Sequence, residues 1–510
     1  MRRHRIVTTV LIVVSCALAR SAAAATCEEL TRFAPPNSTI TSSRQVPAGM
    51  FTPPGPAPAP AAAQTYAALP GFCRVAMTLT PTTDSDIRVE VWLPLSGWNG
   101  KFQAVGNGGW AGVIPYPALA GALANGYATA GTDTGHAGNS ADFIPGHPEK
   151  LVDFAYRAIH EMAVASKAVI RSHFGEAPRM SYFNGCSQGG RQGLASAQRY
   201  PDDFDGIVAG APAWNTMRMH AARLALNRFM HRSPDSAIPA AKYPLIHNAV
   251  LQACDAHDGV KDGVIENPAA CSFDPQVLAC KSGDAASCLT AAQVESARAM
   301  VSPVKHPATG AVLFDGHLWP GAELRWDVIG GPQPLSNAVT GLKNVLFSHV
   351  PDWQPQHFNL ATDLDAADKA DGDLLDSNNF DLSPYFASGG KLLIWHGWAD
   401  PQVTPSNGVL YYEGVRKTVG SQADESMALF MLPGVYHCQG GPGPDRFDRM
   451  AALEQWVERG EKPTRLIASK VTNGRVERTR PLCPYGQVAR WNGTGSTDDA
   501  ASFACVSDIR

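Results

Sequence analysis

Five residues, Gly185-Cys186-Ser187-Gln188-Gly189, constrain this chain more than any other stretch. They follow an apolar run over 180–184 that includes Tyr182 and Phe183, and they lead into a helix-like segment over 190–200. A serine between glycines at a strand-to-helix turn implies a bend sharp enough to lift its hydroxyl above a sheet. Glycine gives the backbone room for such a bend. The helix N-terminus behind Ser187 would turn its free N–H groups toward developing negative charge. The order strand, turn, helix separates this segment from a chance match in a glycine-rich loop. Ser187, not Cys186, holds the centre of the turn, and so Ser187 is the expected nucleophile.

Strand and helix signals alternate around this turn. Strands are expected over 74–79, 87–93, 101–105, 127–131, 180–184, 204–209, 391–395 and 427–432, from their period-two polarity or short apolar runs. An amphipathic helix is expected over 151–174, with Phe154, Ile159, Met162 and Ala163 on one face. Such alternation implies a mostly parallel sheet with helices on both faces. Between 214 and 384 the pattern gives way to cysteine-rich, loop-rich sequence with scattered helices. Loops of that total length do not fit inside one compact layer, so the segment reads as an inserted lid domain. The catalytic domain is then 73–213 together with 385–510. Residues 26–72 form an N-terminal arm with a Pro/Ala-rich linker, and the stretch 47–70 is expected to be neither strand nor helix.

The first 25 residues read as a signal peptide: Arg2, Arg3 and Arg5, an apolar stretch over 6–19, then Ala23-Ala24-Ala25. Export to the periplasm or the medium is the expectation. Val13-Val14-Ser15-Cys16 also loosely resembles a lipoprotein cleavage box, with Cys16 as the site of lipidation. No other stretch is long and apolar enough to span a bilayer. Of the 11 cysteines, ten remain once Cys16 is set aside. An even number in an oxidising compartment favours disulfides over free thiols. The formal net charge is −4, with no long basic run, which does not fit nucleic-acid binding. A small, weakly charged substrate fits better.

A serine is a weak nucleophile and needs a base that a carboxylate orients. The expected order is Ser, Asp, His, each just past a strand end. The run 391–395 leads into His396-Gly397-Trp398-Ala399-Asp400, and the run 427–432 leads into Pro433-Gly434-Val435-Tyr436-His437. Asp400 and His437 therefore complete a triad with Ser187. His396 competes as base, but it lies at the strand end, before the carboxylate. The oxyanion donors are expected from the backbone of Gln188 and of Gly109, with Gly108 one position away as the alternative. No cofactor enters this chemistry. A catalytically inactive binding module on the same fold would be expected to lack a triad member, and all three are present.

Cysteines adjoin both reacting residues: Cys186 precedes Ser187 and Cys438 follows His437. A bond between them would tie the nucleophile turn to the histidine loop. Cys-Ser coupled to a downstream Asp and His-Cys resembles the tannase and feruloyl esterase family, which includes mono(2-hydroxyethyl) terephthalate hydrolases. The resemblance covers nearly the whole chain after the signal. It implies an α/β class, namely an α/β-hydrolase fold with a mostly parallel central sheet and a large inserted lid domain. It also implies the Cys186–Cys438 disulfide. The remaining pairs by proximity and by the family pattern are Cys254–Cys271, Cys280–Cys288, Cys483–Cys505 and Cys27–Cys73; sequence alone leaves the connectivity open.

In the lid, three carboxylates fall within eight positions around Gly259 and Gly263, an oxygen-rich loop that suits a hard cation. The spacing departs from an EF-hand. The family resemblance implies structural calcium, with Asp255, Asp258 and Asp262 side chains and Val260 and Val264 carbonyls as ligands. It also implies aromatic-acid ester substrates, feruloyl or other hydroxycinnamoyl esters first, with galloyl esters and terephthalate monoesters as alternatives. Trp319, Trp326 and Trp353 are candidate pocket walls. Arg325 is a candidate partner for a terephthalate carboxylate.

Overall fold

A computed structural model describes residues 24–371 and 374–508. The expected signal, including Cys16, lies outside them apart from Ala24 and Ala25. Nine strands form one sheet: β1 Ser38–Val46, β2 Phe72–Leu79, β3 Ile87–Pro94, β4 Lys101–Val105, β5 Ala128–Thr132, β6 Met180–Cys186, β7 Gly206–Gly210, β8 Lys391–Gly397 and β9 Met427–Leu432. Their order is β1-β2-β3-β5-β4-β6-β7-β8-β9. From β5 to β9 every neighbouring pair is parallel, whereas β1, β2, β3 and β5 pair antiparallel. This is an α/β-hydrolase fold. Central strands β5 and β7 are buried along their full length, as is β9 at the sheet edge, as expected where helices cover both faces.

Among the described residues, those between β7 and β8 add no strand to this sheet. They hold helices, among them α3 Thr216–Met230 and α4 Ser336–Gly341, and a separate apolar cluster around Met230, Ile246, Leu318 and Trp326. The five disulfides have the pairing that proximity and the family resemblance imply. No helix among the described residues is long and apolar enough to cross a membrane.

Three local expectations need correction. The N-terminal arm is part of the sheet, because β1 pairs with β2 along its length. The stretch 47–70 contains a helix, Pro60–Ala67, with proline in its first turn, where a missing N–H costs nothing. Its Tyr66 is buried against Phe51, with ring centroids 5.3 Å apart. The helix expected over 151–174 is interrupted: a π-helical turn, Asp153–Arg157, joins a short helical turn to α1, Ala158–Phe174. The wider turn adds one residue per bond, which the apolar periodicity does not reveal.

Candidate active site

The turn after β6 holds Ser187 at φ 65°, ψ −122° and passes directly into α2, Gln188–Arg199. A side chain at this φ is strained, and it persists because its surroundings fix it. The Ser187 N–H donates to the Gly210 carbonyl at 2.9 Å. A Cβ on Gly185 would stand 2.5 Å from the Gly189 backbone, so the turn closes only with glycine there.

His437, on the loop after β9, meets Ser187 across the sheet top. Its Nε2 lies 2.8 Å from Ser187 Oγ, and its Nδ1 lies 2.7 Å from Asp400 Oδ2. Asp400 is fully buried. Its Oδ1 accepts the Gln402 and Val403 N–H groups at 2.8 and 2.9 Å. Burial opposes its charge, but the hydrogen bonds and charges of His437 and His396 outweigh that and hold the carboxyl well below the usual carboxylate range. His396 is buried, and its Nε2 lies 3.2 Å from Asp400 Oδ2 and 3.0 Å from the Val403 carbonyl. The carbonyl only accepts, so that nitrogen carries the proton. His396 therefore supports the carboxylate, whereas His437 is the histidine that reaches Ser187. Cys186 and Cys438 are bonded, with Cα atoms 6.0 Å apart, and Cys438 has φ 61°.

A narrow cleft of about 30 Å³ opens beside Ser187. Gly109 and Gln188 line it with Ser187, whereas Gly108 does not. The glycine loop is fixed from behind: Asn107 N–H donates to Gln192 Oε1 at 3.0 Å, and the Asn107 amide holds the Val113 and Thr132 carbonyls. The aromatic wall is Trp110 and Phe154, stacked at 4.8 Å, and Trp110 Nε1 donates to the Asn337 carbonyl of the segment between β7 and β8. His220 and Arg223 on α3 complete the polar side. Burial and the Arg223 charge hold His220 neutral, and burial draws Arg223 down to about 10, so it stays charged. Trp110, Phe154, His220 and Arg223 have no sequence motif; only the fold brings them together.

The tryptophans and arginine expected at the pocket stand elsewhere. Trp326 and Trp353 are buried in apolar clusters, and Trp319 packs against Trp398 at 5.3 Å. Arg325 is 3.6 Å from Asp327 and lies over the Tyr436 ring.

In the acidic loop, Asp255 accepts the Asp262 and Gly263 N–H groups, Asp258 accepts Val260 and Asp262 accepts Val264. Asp262 is also paired with Arg478 and Arg480. Among the described residues no three His, Cys, Asp or Glu side chains converge as a metal cluster. Burial raises Asp258 to about 6 and Glu266 to about 8. Buried acids that repel one another are of the chemistry a divalent cation offsets.

The family model for tannase and feruloyl esterase matches residues 73–506. The chain is 36% identical to an uncharacterized esterase of Xanthomonas campestris pv. campestris, over 99% of this chain and 95% of that one. It is 32% identical to a protein of Aspergillus terreus named probable feruloyl esterase B-2, covering 92% and 93% of the two chains. The crystal structure of feruloyl esterase B from Aspergillus oryzae superposes with a TM-score of 0.86 at 31% identity, covering 94% of this chain and 99% of that one.

Proposed function

The chain belongs to the tannase and feruloyl esterase family, and on that premise we propose that it is a secreted serine esterase of feruloyl and other hydroxycinnamoyl esters. It is a carboxylic ester hydrolase acting on aromatic esters. The observation that carries it is the continuous bridge from Ser187 Oγ through His437 to the buried Asp400. His437 Nε2 takes the hydroxyl proton as Oγ bonds to the ester carbonyl carbon. The Gly109 and Gln188 N–H groups hold the resulting oxyanion. The bond from carbon to the alcohol oxygen then breaks, and His437 returns its proton to the leaving alcohol. Water repeats the sequence on the acyl-enzyme and frees the acid and Ser187. Asp400 keeps the Nδ1 proton of His437 in place and stabilises the imidazolium.

The stacked Trp110 and Phe154 suit a flat aromatic group. Five disulfides fit an oxidising compartment outside the cytoplasm. Calcium is proposed for the acidic loop, held by Asp255, Asp258 and Asp262 with the Val260 and Val264 carbonyls. There it would brace the loop and take no part in the chemistry. Initial rates on methyl ferulate, methyl gallate and mono(2-hydroxyethyl) terephthalate test the substrate reading. A clear preference for methyl ferulate is expected. Preference for either of the others would move the enzyme to galloyl or terephthalate esters, and turnover of none would discard aromatic-acid esters.

A further inference from the structure

Buried polar atoms in proteins find partners as a rule, so each one without a partner calls for an explanation, with a water, an ion or a ligand among the candidates. Three residues that line the cleft beside Ser187 carry such an atom: Gln188 Nε2, Arg223 Nε and Asn337 Oδ1 have no partner among the described residues. The Asn337 amide is held at neither end and can turn over. The Gln188 amide cannot. Its Oε1 accepts from Arg191 Nε at 2.9 Å, and a guanidinium has nothing but donors to offer. A flipped amide would set N–H against N–H, so the amide nitrogen must face away from Arg191.

Arg191 is itself fixed. It is fully buried, NH1 donates to the Leu375 carbonyl at 3.1 Å, and NH2 donates to the Phe154 carbonyl at 3.2 Å. Phe154 belongs to the π-helical turn, and its ring is one wall of the cleft. The Gln188 side chain is thus desolvated, 5% exposed, and oriented before any substrate arrives. The apolar side of the cleft is Trp110, Phe154, Ala213 and Met219.

We propose that Arg191 aims the Gln188 carboxamide into the cleft, where its N–H group donates to an acceptor oxygen on the ring of the aromatic ester. The site thereby selects oxygen-bearing rings over plain ones. Gln188 is the specificity-determining residue, and Arg191 is a positioning residue that acts through it. A plain ring leaves the buried donor unpaired, and a site built to hydrogen-bond a substrate oxygen rejects the analogue without it far more strongly than an apolar wall does. This inference rests on the aromatic-ester reading.

The test is kcat/KM on matched pairs: methyl 4-hydroxycinnamate against methyl cinnamate, and methyl 3,4,5-trihydroxybenzoate against methyl benzoate. The ratio within a pair is measured on one enzyme preparation, so loss of folded protein cancels. The wild type is expected to favour the oxygenated member of at least one pair by about tenfold or more. Gln188→Leu and Gln188→Glu should both shrink that ratio by about tenfold. The glutamate keeps an acceptor for Arg191 and replaces the amide donor with a charged carboxylate oxygen. Arg191→Met should shrink the ratio less, and should not shift it further in the Gln188→Leu background. A ratio unchanged in both Gln188 variants overturns the proposal. A shift by Arg191→Met that persists in the Gln188→Leu background overturns the relay. A wild type that hydrolyses neither member of either pair refutes the aromatic-ester reading itself, a different result from an unchanged ratio.

Discussion

The disulfide between Cys186 and Cys438 ties the turn of Ser187 to that of Cys438, and its removal should cost turnover before it costs binding. Ser187 at φ 65° and Cys438 at φ 61° each sit in the left-handed region. Each such residue carries strain of about 1–3 kcal/mol that its surroundings must over-determine. Replacing both cysteines with alanine frees the two turns to relax independently, because the bond spans 252 positions. A displacement of about 1 Å between nucleophile and base costs roughly a hundredfold in rate. The double variant should therefore lose about 10²-fold in kcat, with KM changed by less. Loop-closure entropy for that separation gives at most about 5 kcal/mol of stabilisation, or about 5 °C in the thermal midpoint of a chain this long. Steady-state kinetics and thermal denaturation of Cys186→Ala/Cys438→Ala, read together, decide the matter. A lower midpoint with kcat unchanged would show the bond to be a stabiliser only, and would refute the alignment argument.

Asp400→Asn should lower kcat by about 10³–10⁴-fold, because an amide holds the wrong proton arrangement against His437; a loss under tenfold in steady-state assays would contradict that role. The depressed Asp400 carboxyl contributes stability that is fully present above its unfolded value of about 3.9 and is lost as pH falls through its lower folded value. Acid titration of the wild type should thus show a destabilising limb below pH ~4 that Asp400→Asn diminishes. If the acidic loop binds calcium, EGTA should lower the thermal midpoint by several degrees, as expected for losing a ligand present at about 100 times its Kd. Asp258→Asn should reduce that shift, and equal midpoints with calcium and with EGTA would dismiss the site.

Ser187, His437 and Asp400, which the structure brings together, were legible because the proposed chemistry demands fixed residue types at fixed places. Ser187 announces itself through the flanking glycines, and Asp400 and His437 each follow an apolar strand. The same logic reached eight of the nine strands of the sheet. It missed β1, whose pattern Ser-Thr-Ile-Thr-Ser-Ser-Arg-Gln-Val buries only three of nine residues at the sheet edge. It also missed the helix Pro60–Ala67, where proline and alanine read as linker although proline is tolerated in a first turn. The cleft walls were out of reach for another reason. Trp110 meets Asn337 across 227 positions, and no local pattern reports such a contact. Nor does sequence tell a buried arginine from an exposed one: Arg325 looked suitable, yet Arg223 is the arginine that lines the cleft, and buried Arg191 stands behind Gln188.

The most direct test of the central claim is stoichiometric labelling with an organophosphonate ester, followed by peptide mass spectrometry and a parallel assay of ester turnover. One adduct per chain on Ser187, no adduct and no turnover for Ser187→Ala, and much slower labelling for His437→Ala are the predicted results. Turnover that survives in Ser187→Ala, or an adduct on another residue, would contradict the triad.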